Sequence, residues 1–176
     1  TDNRRQRQMC IRDRYKIGIQ LKTLGININF SPVVDINTNP LNPIIGNRSF
    51  GEDRVDVTRK SLEMMMGMHR AGILTCAKHF PGHGETIKDS HYDLPTVDFE
   101  KNRIDSVEIY PYKKLIPHGI SSIMVGHLNY PALDDGIPCS LSKKIVDSLL
   151  IKELDFKGLV ITCLLYTSDA ADDCRC

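Results

Sequence analysis

No run of about 18 apolar residues, the length a bilayer-spanning helix needs, occurs in this sequence of 176 residues. Nothing in it therefore predicts a transmembrane segment. Neither sign of charge prevails: 23 Lys and Arg face 22 Asp and Glu, for a formal net charge of +1. The basic residues form no stripe through the middle of the chain that would supply the repeated phosphate contacts nucleic acid requires, so nucleic acid is not expected as a partner. Neither a GxGxxG nor a Walker A run occurs, which removes the usual phosphate cradles. Cysteine is scarce where a disulfide framework would need it. Cys10, Cys163, Cys174 and Cys176 lie at the ends and leave only Cys76 and Cys139 in the body. Cys76 sits in an apolar run and reads as a small buried hydrophobe.

What remains is the composition of an ordinary globular protein, 41% hydrophobic and 26% charged, on a chain long enough for one domain with its own core. The two ends depart from this. Arg4, Arg5, Arg7, Arg12 and Arg14 crowd the head, where RQRQMCIRDR shows no period that continues into the body. The tail LLYTSDAADDCRC breaks abruptly from the apolar GLVIT. Both strings resemble translated sequencing-adapter read-through, so residues 1–14 and 163–176 are expected to be a non-native head and tail, with the native body at 15–162.

Within the body, apolar runs of strand length at 26–34, 73–77, 122–125 and 159–162 alternate with segments of helical period. Runs rich in Ile and Val without a clean polar face suit a parallel sheet covered on both sides. Helices are predicted over 54–71, ended by Gly72; over 101–116, capped by Asp98, kinked at Pro111 and ended by Gly119; and over 143–154. The alternation predicts an α/β fold with right-handed parallel crossovers. Four strands do not close a barrel, so the expectation is a partial (β/α)8 TIM-type barrel.

In such folds chemistry gathers at the carboxyl ends of the strands. Asp35 follows SPVV, Lys78 and His79 follow ILTCA, and His127 follows SSIMVG. The densest stretch is LTCAKHFPGHGETIKDSHYDLP, residues 74–95. Asp89 and His91 are two apart, which allows both side chains to one side of an extended segment. A carboxylate on one imidazole nitrogen fixes the tautomer and raises the basicity of the other, so the ring can give a proton to a leaving oxygen and later take one from water. The bland alternative is that His91 packs its own loop. Asp35 could accept from sugar hydroxyls and Arg48 could donate to a hydroxyl or acyl oxygen, although a strand-end Asp often caps a turn and Arg48 lies beside Glu52 and Asp53. His79, His83 and His91 raise a metal site, but HFPGH lacks the helical spacing of HExxH, so no metal is expected. Ser140 and Lys143 form an SxxK pattern at the start of a plain amphipathic helix, where a serine cap is the commoner explanation and no KTG element follows.

Taken in order, NINFSPVVDI, IIGNRSFGED, AKHFPGHGETIKDSHYDLP, GISSIMVGHLNYPALD and SLSKKIVDSLLIKELDFKGLVIT resemble the catalytic barrel of glycoside hydrolase family 3, and the DSH element resembles its β-N-acetylhexosaminidase branch. The resemblance covers roughly residues 15–162. It implies a retaining hydrolase, working without a cofactor, that removes terminal β-linked N-acetylglucosamine from peptidoglycan- or chitin-type glycosides; the partner is then an amino-sugar glycoside. It further implies His91 as acid/base, Asp89 as its orienting partner, and Asp35, Arg48, Lys78 and His79 as holders of the terminal sugar. The family nucleophile is an aspartate directly after a GxVxT strand. Here GLVIT ends at Thr162 and Cys163 follows, while Asp169 lies too late in an unrelated string, so the chain itself is expected to be inactive. Two other readings stand beside this one: a phosphorolytic relative, since a histidine acid/base repels phosphate less than a carboxylate, and a non-catalytic carbohydrate-binding protein. The flavour of NPLNPIIGNRSFGED resembles larger bacterial cell-envelope members and leads to the expectation of a periplasmic or envelope location.

Overall fold

The computed structural model describes residues 2–86 and 94–163. A long helix α1 (Asp2–Thr23) precedes strand β1 (Ile28–Asn29), helix α2 (Arg54–Arg70) and strand β2 (Leu74–Phe80). Two short helices, α3 (Lys101–Ser106) and α4 (Tyr110–Leu115), lead to β3 (Ser122–Val125). Helix α5 (Pro131–Asp134) and a π-helix over Lys144–Glu153 lead to β4 (Leu159–Thr162). The strands form one sheet in the order β1-β2-β3-β4, and each neighbouring pair is parallel. Strand order that follows chain order, with helices in the crossovers, is the winding of a (β/α) barrel, present here in part.

The inner strands β2 and β3 are mostly buried, whereas β1 and β4 at the sheet's edges are half-buried. All four β3 residues are buried. Phe80, Ile104, Ile109, Tyr112, Leu115, Ile123, Val125 and Leu150 form the main core on the helix side, with the Phe80 and Tyr112 rings edge-on at 4.9 Å. Helix α2 starts at the Asp53 side chain, which accepts from Val55 and Asp56 N–H at 2.9 and 2.8 Å, and stops at Gly72 with φ +78°. Two glycines let α1 lie close on α2. A Cβ on Gly18 would stand 2.6 Å from Ala71 Cβ, and one on Gly67 2.6 Å from the Ile11 carbonyl.

Several expectations need correction. The 26–34 run holds only the two-residue strand Ile28–Asn29 and, beyond it, a single parallel bridge from Val33 to Lys78. Its backbone still serves the sheet: Ser31 O accepts from Cys76 N, Pro32 O from Lys78 N, and Val34 N donates to Lys78 O. β2 continues to Phe80 instead of stopping at Ala77, so Lys78 and His79 belong to the strand and not to the loop after it. The 101–116 helix is split at 107–109, and Pro111 opens the second piece, where its missing N–H costs nothing, instead of kinking one helix. Asp98 does not cap α3; Glu100 holds the cap position without a side-chain bond. The last helix is wound as a π-helix, with Leu154 N–H on Leu149 O at 2.9 Å. Its entrance is capped by Ser142, whose Oγ accepts from Ile145 N at 3.1 Å, and not by Ser140. The head expected to lack regular period is helical within α1, and Ile11 is buried against α2.

Candidate active site

Asp35 is the centre of the carboxyl end of the sheet, with 2% of its surface exposed. Its Oδ1 accepts the backbone N–H of His79 at 3.1 Å and of His83 at 2.8 Å, and its Oδ2 lies 2.8 Å from His79 Nδ1. Burial pushes the carboxyl pKa up, but the His79 charge, the His79 ring bond, the His83 charge and the His79 N–H together hold it below the ordinary value. An ionised carboxylate only accepts, so His79 Nδ1 carries the proton and Nε2 is left as the ring's second functional atom. Two carboxylate oxygens offer about four acceptor positions; among the described residues these three donors leave one on Oδ2.

The turn after β2 supplies the second of those N–H groups and is braced from several sides. Asn42 Nδ2 donates to His83 O at 2.7 Å, while Asn42 Oδ1 accepts from Ile44 and Ile45 N–H. Thr86 Oγ1 meets His83 Nδ1 at 2.5 Å, and Tyr130 OH donates to Gly82 O at 2.7 Å. Gly84 has no room for a side chain: a Cβ there would stand 1.9 Å from the Ile36 carbonyl oxygen.

Lys78, one residue before His79, is half-buried. Desolvation first, and then the Arg48 charge, lower its pKa, against smaller raising effects of Cys76 and Asp35. Arg48 is exposed, ends a single 3-10 turn (Gly46–Arg48) and donates to Ile44 O at 3.1 Å. The sheet therefore gathers four of the six predicted site residues, Asp35, Arg48, Lys78 and His79, at one end. Asp89 and His91 lie outside the described residues. Ser140 does not pair with Lys143; its Oγ bonds His127 Nδ1 at 2.8 Å. His127 is partly buried, which lowers its pKa. Cys163 directly follows β4 beside it: its N–H reaches Val125 O at 3.3 Å, burial raises its thiol pKa, the His127 backbone N–H lowers it and the Asp35 charge raises it. Position 163 thus belongs to the same end as Asp35.

Sequence reasoning did not give His83 or Asn42 a place in this site. The signal for His83 was HFPGH, weighed as metal spacing, whereas its backbone N–H is what binds Asp35. Among the described residues no three His, Cys, Asp or Glu side chains are grouped to hold a metal ion.

Against known proteins, residues 13–174 match the family model "Glycosyl hydrolase family 3 N terminal domain". A β-hexosaminidase A of Pseudoalteromonas piscicida is 39% identical over 170 residues, and the chain spans 28% of its length. The structure of a glycoside hydrolase family 3 β-N-acetylglucosaminidase from Paenibacillus superposes with a TM-score of 0.88 at 40% identity, over 90% of this chain and 30% of that one. A β-glucoside phosphorylase structure superposes at 0.86 with 26% identity, over 91% of this chain and 30% of that one.

Proposed function

The chain belongs to glycoside hydrolase family 3, and from that premise we propose that it carries one side of the active site of a retaining hydrolase that releases terminal β-linked N-acetylglucosamine from peptidoglycan- or chitin-type glycosides. The observation that supports this most is the buried Asp35–His79 pair, in which Asp35 is held as a carboxylate, beside Lys78 and Arg48 at the carboxyl end of a parallel sheet. The free Oδ2 position accepts a sugar hydroxyl, His79 Nε2 and the Lys78 ammonium reach further hydroxyls, and Arg48 closes the exposed side. In this reading His91, oriented by Asp89, protonates the leaving oxygen and then deprotonates water, while a carboxylate attacks the anomeric carbon and is released on hydrolysis.

That carboxylate belongs directly after Thr162, where this chain has Cys163. A thiol with its pKa raised by burial stays protonated at neutral pH and is a poor nucleophile. The chain itself is therefore inactive, and the activity is that of a full-length enzyme with Asp at this position. The test is turnover of an aryl β-N-acetylglucosaminide by both proteins. The full-length enzyme should release the aryl alcohol and the 176-residue chain should not; substantial turnover by the chain refutes the assignment of position 163. Repeating the assay in phosphate buffer separates hydrolysis, which yields free sugar, from phosphorolysis, which yields sugar 1-phosphate. The higher identity to β-N-acetylglucosaminidase than to phosphorylase structures favours free sugar.

A further inference from the structure

We propose that Arg103 is a positioning residue: by holding Glu108 and Glu85 on one guanidinium it fixes the turn after β2, and with it the His83 N–H that orients Asp35. The proposal rests on the reading of Asp35 as a sugar ligand. Arg103 touches neither Asp35 nor the sugar positions, and acts through others. Its Nη1 donates to Glu108 Oε1 and Oε2 at 2.7 and 2.8 Å, and its Nη2 to Glu85 Oε1 at 3.4 Å. Its guanidinium also lies 4.9 Å from the centre of the Phe99 ring. One side chain of α3 thus grips the chain at Glu85, where the turn leaves, and at Phe99, where the chain returns to α3. The neighbouring Ile104 is fully buried and anchors the helix that carries it.

Glu108 passes this grip to the turn. Its side chain is 5% exposed, and a Cβ on Gly82 would stand 2.8 Å from its Cγ, so the Glu108 methylenes lie directly against the Gly82 backbone. Tyr130 holds the same residue through its carbonyl, and Asn39 Nδ2 donates to Glu85 O at 3.1 Å. The turn is therefore clamped by the β1 side through Asn39 and Asn42, by the β3 side through Tyr130, and by α3 through Arg103. Without the guanidinium two carboxylates face each other, one of them buried, and the α3 clamp is lost. An exposed ion pair contributes little, but a charge-assisted bond from Nη1 to both oxygens of a buried carboxylate is of the stronger kind.

Amide hydrogen exchange of the 15N-labelled 176-residue chain tests this without requiring catalysis. In Arg103→Met the His83 N–H should exchange about tenfold faster or more, the loss expected for a charge-assisted hydrogen bond, while Ile123 and Met124 in β3 keep their rates. Arg103→Lys, which keeps the charge and loses the fork, should restore part of the protection. Glu85→Gln removes only the outer contact and should speed His83 in the same direction but less. Unchanged His83 exchange in folded Arg103→Met, or a uniform rise across His83 and β3, overturns the proposal. Should Arg103→Met not fold, unchanged His83 exchange in Glu85→Gln overturns it. A parallel N-acetylglucosamine titration keeps the two readings apart, since a wild-type chain that ignores the sugar counts against the sugar site while the exchange rates still decide on Arg103.

Discussion

The two ends of the sheet each hold a histidine in a hydrogen-bond network, and the networks differ in one chemical respect. At the carboxyl end His79 faces a carboxylate, Asp35, inside a cage of backbone donors. At the amino end His69 Nε2 lies 2.8 Å from Thr75 Oγ1 and 3.0 Å from Ser121 Oγ, so its hydrogen-bond partners among the described residues are hydroxyls. A carboxylate creates a buried charge that must be kept paired and can be turned toward a ligand. Hydroxyls adapt to either tautomer and need no charge, and burial lowers the His69 pKa, so the ring stays neutral. The difference matches the division of labour in barrels, where chemistry sits at the carboxyl end and the amino end stabilises.

The most damaging way to break the contrast is Asp35→Ala. It leaves two buried N–H groups and the His79 ring without their acceptor, and should cost about 3–5 kcal/mol of stability in a denaturant titration, as for a broken buried pair. Gly84→Ala should cost about 1–3 kcal/mol by forcing a methyl group onto the Ile36 carbonyl, and should also weaken sugar binding, since Gly84 follows His83. At the other end, His69→Ala should cost about 1 kcal/mol and leave sugar binding alone.

Acid should separate the ends by window. His69 has a folded pKa below its unfolded value, so the unfolded chain binds the proton first, and stability begins to fall as pH drops through about 6.5. Asp35 also has a depressed folded pKa, but as a carboxylate. Its contribution is complete above about 3.9 and is lost only as pH falls through the lower, folded value. His127 shares the upper window, so the difference between wild type and His69→Gln, measured as denaturant midpoint against pH, isolates the amino end. The smallest effect concerns thiols: burial pushes Cys139 up to about 12, and it should resist alkylation in the native chain while Cys10, which is partly exposed, reacts.

Much of this architecture was legible because apolar runs have few ways to be satisfied. Residues 122–125 and 159–162 read as strands from composition alone and are strands to the residue. The apolar run 26–34 does not distinguish the two-residue strand Ile28–Asn29 from the segment after it, whose Ser31 and Pro32 carbonyls also bond to β2. The 101–116 helix was read as one because the apolar period runs through the break at 107–109. In the site, Asp35, Lys78 and His79 were visible as polar residues at strand ends. Asn42, His83 and Arg103 were not, because two of them act through a carboxamide and a backbone N–H, and the third through a partner five residues on. No spacing rule encodes such bonds.

The central claim is that the carboxyl end of the sheet is the sugar-binding end. Titrating the 15N-labelled chain with N-acetylglucosamine tests it most directly. Saturable shifts at the Asp35, Lys78, His79 and His83 amides, with His69, Thr75 and Ser121 unmoved, are the predicted result. Shifts confined to His69, Thr75 and Ser121, or none at either end up to the solubility limit of the sugar, would contradict it.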